Sequence, residues 1–340
     1  MTLSPVLFLI FNRPELTEKV FSQIRKARPR RLFIAADGPR QGVASDPKDC
    51  AATRAVTECI SWDCHVQRLY RDSNLGCGRA VSCAIDWFFK YVEEGIILED
   101  DCYPSLSFFP FCTDMLKRYR DNDRIMMVSG FNRLGTWKPE KHDYFFSGGG
   151  IWGWATWRRA WSHYDHHMRD FEDPVVRKTV QRACKKQGSS LYQAFEKTYR
   201  GEVDTWDYQW AFARLKQGGL AVTPSLNLIR NIGSGAAAAT HENKKNDYLH
   251  SLEIYELDPP YYGPYRIKND LAFAQRCWFM IQYGPHAINE IRGQIKMFVH
   301  KVFPLLGPLL LKKMNKISAL TSKRIRRVWN FCVQLFARNA

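Results

Sequence analysis

Apolar residues in the first third of the chain come as short runs of strand length, each followed by a stretch with helical spacing. Residues 5–11 are the first run, and Asn12-Arg13-Pro14 opens a helix with proline in its first turn. Residues 31–36 are the second, closed by the turn signal Asp37-Gly38-Pro39, with a helix expected near 47–60. Residues 65–70 are the third; a polar loop, 72–78, then leads to helical spacing over 79–92. Residues 95–98 form a fourth strand, a helix is expected over 105–119, and a fifth strand over 125–129. Strands alternating with helices predict an α/β fold, a mostly parallel sheet flanked by helices.

The second part is less regular. Tyr144-Phe145-Phe146 runs through Ser147 and the glycines 148–150 into Trp152-Gly153-Trp154-Ala155-Thr156-Trp157. Helices are expected over 174–187 and 190–200. Residues 202–210 lead into a helical stretch ending at Lys216, and a short strand is expected over 219–222. Residues 224–235 then run to an Ala-rich stretch, 236–239, and Thr240-His241-Glu242.

In a parallel sheet the carboxyl ends of the strands share one edge, where open α/β sheets bind ligands. Here those tips are Asn12-Arg13, Asp37, Asn74 to Arg79, and Glu99-Asp100-Asp101. Adjacent carboxylates repel one another and lose hydration in a fold. A hard divalent cation, Mg²⁺ or Mn²⁺, would offset both; a solvated acidic turn is the other reading. The glycines 148–150 permit close backbone approach to a ligand, or a plain tight turn. Gly148-x-Gly150-x-x-Gly153 formally fits a dinucleotide fingerprint, but it stands mid-chain after a poor strand. Most tryptophans of 152–161 read as core, with a minority free to stack on a sugar. His163, His166 and His167 lack a supporting Cys or Glu-flanked pair and read as solvated histidines on a helix side.

Composition is globular, at 45% hydrophobic and 25% charged; 14% aromatic residues suit a protein that handles sugars or flat bases. Charge changes the picture more. The net charge is +16, but residues 291–340 hold eleven Lys or Arg and no acid, leaving +5 for the first 290. A general nucleic-acid binder would spread its basic residues over a folded face, so no nucleic-acid partner is expected. Within that tail the apolar run 302–311 is broken by Pro and Gly and is too short to span a bilayer. The basic and aromatic stretch 323–331 suits an interfacial anchor on an anionic membrane; a packed C-terminal helix with a solvated basic face is the alternative. The 10 Cys show no zinc-like spacing and read as reduced thiols of a cytosolic protein. MTLSPVLFLIFNRPE has no charged leader, so no secretory signal is expected.

Together these motifs resemble the nucleotide-sugar-dependent glycosyltransferases of the GT-A fold. The likeness is to the bacterial family-2-like transferases and, more distantly, to N-acetylglucosaminyltransferase I. It covers roughly residues 4–245. Its carriers are Glu99-Asp100-Asp101, which matches the Asp-x-Asp metal motif in its Glu-Asp-Asp form, the Gly-Gly to Trp-Gly-Trp-Ala-Thr-Trp segment and, more loosely, Asn74-Leu75-Gly76 with Arg79. The resemblance implies a Rossmann-like GT-A fold, a nucleotide-sugar donor (UDP favoured), Mn²⁺ or Mg²⁺, and a glycan or lipid-linked glycan acceptor. Asp101 would bind the metal, with His241 as a late metal or phosphate contact. Asp100 and Glu99 would face the ribose or the metal's water shell, and Asp37 the base. Phe11, Asn12, Arg13, Asn74, Arg79, Gly149 and Trp154 would complete the nucleotide-sugar contacts. Asp207 would be the general base, with Asp204 as competitor or helix cap. A single base acting on the acceptor implies inversion at the anomeric carbon. The Gln-x-x-Arg-Trp motif of processive synthases is missing, which implies transfer of one sugar.

The expected domains are a catalytic domain, 1–250, an extension, 251–290, and the basic amphipathic helical tail, 291–340. The catalytic domain would divide into a nucleotide-binding half, 1–130, and an acceptor-binding half, 131–250. An acceptor such as a lipopolysaccharide or capsule glycan, with the tail, implies a cytoplasmic protein peripheral on the inner face of the plasma membrane. A nucleotidyltransferase would need a Gly-rich, basic phosphate loop after the first strand, which Asn12-Arg13-Pro14 does not supply. A non-catalytic basic module would depend on 291–340 and not on Asp101.

Overall fold

The computed structural model describes residues 2–187, 191–233 and 244–283; the expectations for His241 and for 291–340 lie outside these. The alternating half contains β1 (Val6–Ile10), α1 (Pro14–Ala27), β2 (Arg31–Ala36), α2 (Asp46–Val56), β3 (His65–Tyr70), α3 (Gly76–Phe88) and β4 (Glu94–Glu99). A short β5 (Cys102–Pro104), α4 (Phe108–Arg118), β6 (Ile125–Ser129), β7 (Tyr144–Ser147) and β8 (Trp154–Trp157) follow. Then come α5 (Arg158–Trp161), α6 (Pro174–Gln187), α7 (Leu191–Tyr199), α8 (Asp207–Lys216), β9 (Leu220–Pro224) and β10 (Ile229–Asn231). A 3-10 helix (Lys244–Ser251) and α9 (Leu271–Tyr283) complete the described elements.

Eight strands make one sheet, in the order β3-β2-β1-β4-β8-β6-β9-β7. β3, β2, β1 and β4 are mutually parallel, and β8 is antiparallel to both β4 and β6. β9 runs with β6, and β7 against β9. Only β8 and β7 therefore oppose the other six, and the sheet is mostly parallel, as expected. β8 inserts between β4 and β6, so the sheet runs across the division expected at residue 130. Residues Met1–Trp278 form one compact unit, which holds the whole sheet, and Phe279–Ala340 a second. No helix among the described residues is long and apolar enough to cross a membrane.

The core explains the strand runs. β1 and β6 are buried at every residue, as a strand covered on both faces requires. Amphipathic α1 lays Val20, Phe21 and Ile24 on the sheet, with Phe21 stacked 6.1 Å from Phe8. Each such side chain contributes about 1.5–3 kcal/mol through burial. β5 pairs with β10, setting Cys102 opposite Asn231, and this small second sheet fixes the chain just after the acidic tip of β4. Glu256 accepts hydrogen bonds from the backbone of Leu106 (3.1 Å) and Ser107 (2.7 Å), which fixes the segment after the 3-10 helix onto the start of α4.

Candidate active site

Parallel register brings the four strand tips level. Leu9 pairs with Glu99, Ile10 with Ala36, and Ala36 with Tyr70, so the residues that follow each strand emerge on one edge. Asp100 is buried there and is held by the Arg13 guanidinium and by the Phe11 backbone N–H at 3.3 Å. Arg13 also donates to Asp101 Oδ2 at 3.2 Å. Burial alone would lower the Arg13 pKa, but Asp100, Asp101 and Glu99 outweigh it and hold the charge in place. Desolvation first, and then Asp101 and Asp100, push partly exposed Glu99 up to about 8. Asp100 rises to about 6, burial prevailing over the pull of Arg13.

Two further carboxylates reach this corner from the second half of the chain. Desolvation pushes the Cys77 thiol up to about 12, and the charges of Glu99, Asp204, Asp207 and Asp101 add to the rise. Asp204 Oδ1 accepts the Gly78 N–H at 3.0 Å, so Asp204 caps the first turn of α3 rather than its own helix. Gly76 stands at φ 78°, and a Cβ there would meet Asp204 Oδ2 at 2.5 Å; only glycine permits that approach. This capping starts α3 at Gly76, three residues before the helix expected from 79. Asp207 opens α8, and its Oδ1 accepts from Thr205 and from the Tyr208 N–H at 2.8 Å. Its Oδ2 has no hydrogen-bond partner among the described residues.

Asp37, Asn74 and Asn12 turn inward. Asp37 accepts from Asn74 (2.9 Å), from the Leu75 N–H (3.1 Å) and from the Gly38 N–H (2.9 Å), strapping the tip of β2 to that of β3. Burial raises the Asp37 pKa against these bonds. Asn12 donates to Asp46 at 2.9 Å, and fully buried Asp46 also receives Arg40 Nε at 2.7 Å. Arg40 thereby lies 5.4 Å from the Phe11 ring centroid, a cation beside the tip of β1. Neither Asp46 nor Arg40 was singled out from sequence. The only available signal was a proline-led helix start, and the partner lies 34 residues away.

The remaining expected contacts are scattered. Arg79 is exposed in the first turn of α3, where its charge lowers the pKa of His166 after burial and His167. His166 therefore belongs to the rim of this corner and is not a remote solvated histidine; a Cβ on Gly78 would stand 3.1 Å from its ring. Gly149 is exposed at φ 69°, and the close approach it permits is to Ala221 and Met127 of the sheet. Trp154 is wholly buried, stacked 5.4 Å from Trp206 and tilted against Trp210 at 5.8 Å, with no face open to a ligand.

Among the described residues no group of three His, Cys, Asp or Glu could hold a metal ion unaided. The donor set still suits Mg²⁺ or Mn²⁺ by type, because every candidate atom among the described residues is a carboxylate oxygen. Mg²⁺ is commonly held by one or two carboxylates together with phosphate oxygens and water. Five acids share this corner with one internal arginine, so positive charge is what it lacks.

No family model matches the chain, and no curated protein matches it in sequence. Among solved structures it is similar to HddC from Yersinia pseudotuberculosis, with a TM-score of 0.30 and 12% identity over 50% of this chain and 84% of that one. It is also similar to mouse xyloside xylosyltransferase 1 in its apo form, with a TM-score of 0.28 and 11% identity over 62% of this chain and 80% of that one. At these scores neither likeness carries an argument about function.

Proposed function

We propose that the chain is a metal-dependent, inverting glycosyltransferase that moves one sugar from a nucleotide-diphosphate sugar to a hydroxyl of a glycan or glycolipid acceptor. The observation that carries this reading is the acidic corner. Glu99 ends β4 with Asp100 and Asp101 just beyond it, on the edge where the tips of β1 to β4 lie level, and Asp204, three residues before Asp207, reaches that edge through the Gly78 N–H. Such an edge is where open α/β sheets take their ligands.

Glycosyl transfer needs charge neutralised on the leaving diphosphate and a proton removed from the acceptor hydroxyl. Asp101, with Glu99 beside it, would hold Mn²⁺ or Mg²⁺, which supplies Lewis-acid neutralisation of the diphosphate when bound. Arg13 fixes Asp100 and Asp101 and holds their carboxylates just beyond the tip of β4. Arg40 beside Phe11, and Arg79 on α3, offer cations to the nucleotide end. Asp207 is the base, its Oδ1 held by Thr205 and the Tyr208 N–H with Oδ2 left to take the hydroxyl proton; Asp204, whose Oδ1 caps α3, is the competitor. One carboxylate acting on the incoming hydroxyl gives inversion.

A donor screen tests the proposal: release of UDP, GDP or dTDP from the corresponding sugars, with and without Mn²⁺. Metal-stimulated turnover of a UDP-sugar, lost in Asp101→Ala, is expected. Turnover that ignores both metal and Asp101, or none with any donor, would remove the reading.

A further inference from the structure

A second place on the molecule is built with the opposite charge. At the far edge of the sheet a cavity of about 330 Å³ opens beside β7, walled by Trp137, Phe145 and Phe146. Lys141, Arg266 and Lys268 line it, and none has a carboxylate partner among the described residues. Its one acidic residue, Asp270, is already engaged, accepting from Trp137 Nε1 at 2.8 Å and from Lys138 Nζ at 3.2 Å. That pair of bonds fixes the indole as a wall and leaves the remaining cations uncompensated. The segment that carries Arg266 and Lys268 also exposes Tyr262 at 66% and Tyr265 at 101%.

We propose that this cavity binds an anionic saccharide, a sugar bearing phosphate or carboxylate. Ammonium and guanidinium groups recognise the anion, and half-buried Trp137 is the aromatic wall left to meet the apolar face of a sugar ring, Phe145 and Phe146 being buried. The volume is that of a small-molecule site. Single-stranded nucleic acid is instead taken by a charged groove that tracks a backbone over several nucleotides, which a cavity of about 330 Å³ is too small to do.

The cavity and the acidic corner share an edge. Tyr144 of β7 pairs with Pro224 at the end of β9, and β9 runs the same way as β6 and β4. Four strand spacings separate β4 from β7 in the sheet order, which is about 19 Å. On the glycosyltransferase reading the cavity would hold a distal, charged part of an oligosaccharide acceptor. The binding itself does not need that reading.

Titration calorimetry on the full chain, without donor or metal, decides it. Trigalacturonate and glucose 6-phosphate probe carboxylate and phosphate; maltotriose, inorganic phosphate and a ten-residue oligothymidylate are the comparisons. At least one anionic saccharide is expected to bind about tenfold more tightly than maltotriose and inorganic phosphate. The double variant Lys141→Ala, Lys268→Ala, exposed and outside the acidic corner, is expected to lose that advantage with its thermal melt unchanged. Trp137→Phe is expected to weaken the saccharide more than inorganic phosphate. The proposal is overturned if no saccharide binds, if maltotriose or phosphate binds equally well, if the oligonucleotide binds tightest, or if the double variant binds as the parent does. None of these outcomes bears on donor turnover, so this inference and the transferase reading fail separately.

Discussion

Arg13 is the residue on which the acidic corner turns. Without it Asp100 would be a buried carboxylate with only the Phe11 N–H to satisfy it. Two other acids separate structure from chemistry. Asp204→Ala removes the cap on α3 and is expected to cost about 1 kcal/mol in urea denaturation, with turnover changed only modestly. Asp207→Asn keeps the oxygen that the Tyr208 N–H uses, so the fold is expected to stand while turnover falls about 10²–10⁴-fold. If the two variants behaved the other way round in steady-state kinetics, the base would be Asp204. Asp46 gives a prediction in pH. Its pKa is depressed, first by the Arg40 hydrogen bonds and against its burial. A depressed carboxylate contributes fully above the ordinary value near 4 and loses that contribution as pH falls toward its folded pKa. Asp46→Ala is therefore expected to cost about 2 kcal/mol at pH 7, with the gap to the parent narrowing at pH 3. An equal gap at both pH values would show that Asp46 stabilises by packing, not by charge.

At the scale of elements, β1, β2 and β4 were legible because strands buried on both faces read as apolar runs that stop at polar tips, whereas β3, partly exposed along its length at the edge of the sheet, showed through the polar loop that ends it. β8 was not. Its four residues, Trp154-Ala155-Thr156-Trp157, are buried throughout and antiparallel to both neighbours. Nothing in so short a run of tryptophan and small residues separates a sheet strand from a sugar platform. The cap that Asp204 places on α3 was equally hidden, since it joins residues 126 positions apart. The site was legible where its chemistry is local, in Glu99-Asp100-Asp101, and illegible where tertiary contacts decide which polar groups face in, as for Asn12, Asp37 and His166. Trp154 tests the structural role assigned to β8. With its indole enclosed by Trp206 and Trp210, Trp154→Ala is expected to cost about 4 kcal/mol in urea denaturation. A loss under about 1 kcal/mol, with weakened donor binding, would restore it to the nucleotide-sugar contacts.

Across the whole molecule, charge is sorted along one edge of the sheet, with acids at the tips of β4 and α8 and uncompensated cations beside β7. The acidic end cannot hold a divalent ion by itself among the described residues, since no three donors converge there. A cation that brings phosphate oxygens with it meets a different site, one that needs only one or two carboxylates. Metal and nucleotide diphosphate should therefore bind with positive coupling, each contributing ligands or charge that the other lacks. In thermal melts Mn²⁺ alone and UDP alone are expected to shift the midpoint little. Together, at about a hundred times their joint dissociation constant, they stabilise by about 2.7 kcal/mol, a shift of roughly 4–5 °C for a chain of this size. Chelation should return the midpoint to its starting value, and Asp101→Ala should abolish the joint shift while leaving the unliganded midpoint near that of the parent. A full shift with Mn²⁺ alone would mean a preformed metal cage, and an additive response would mean that the two ligands occupy separate sites.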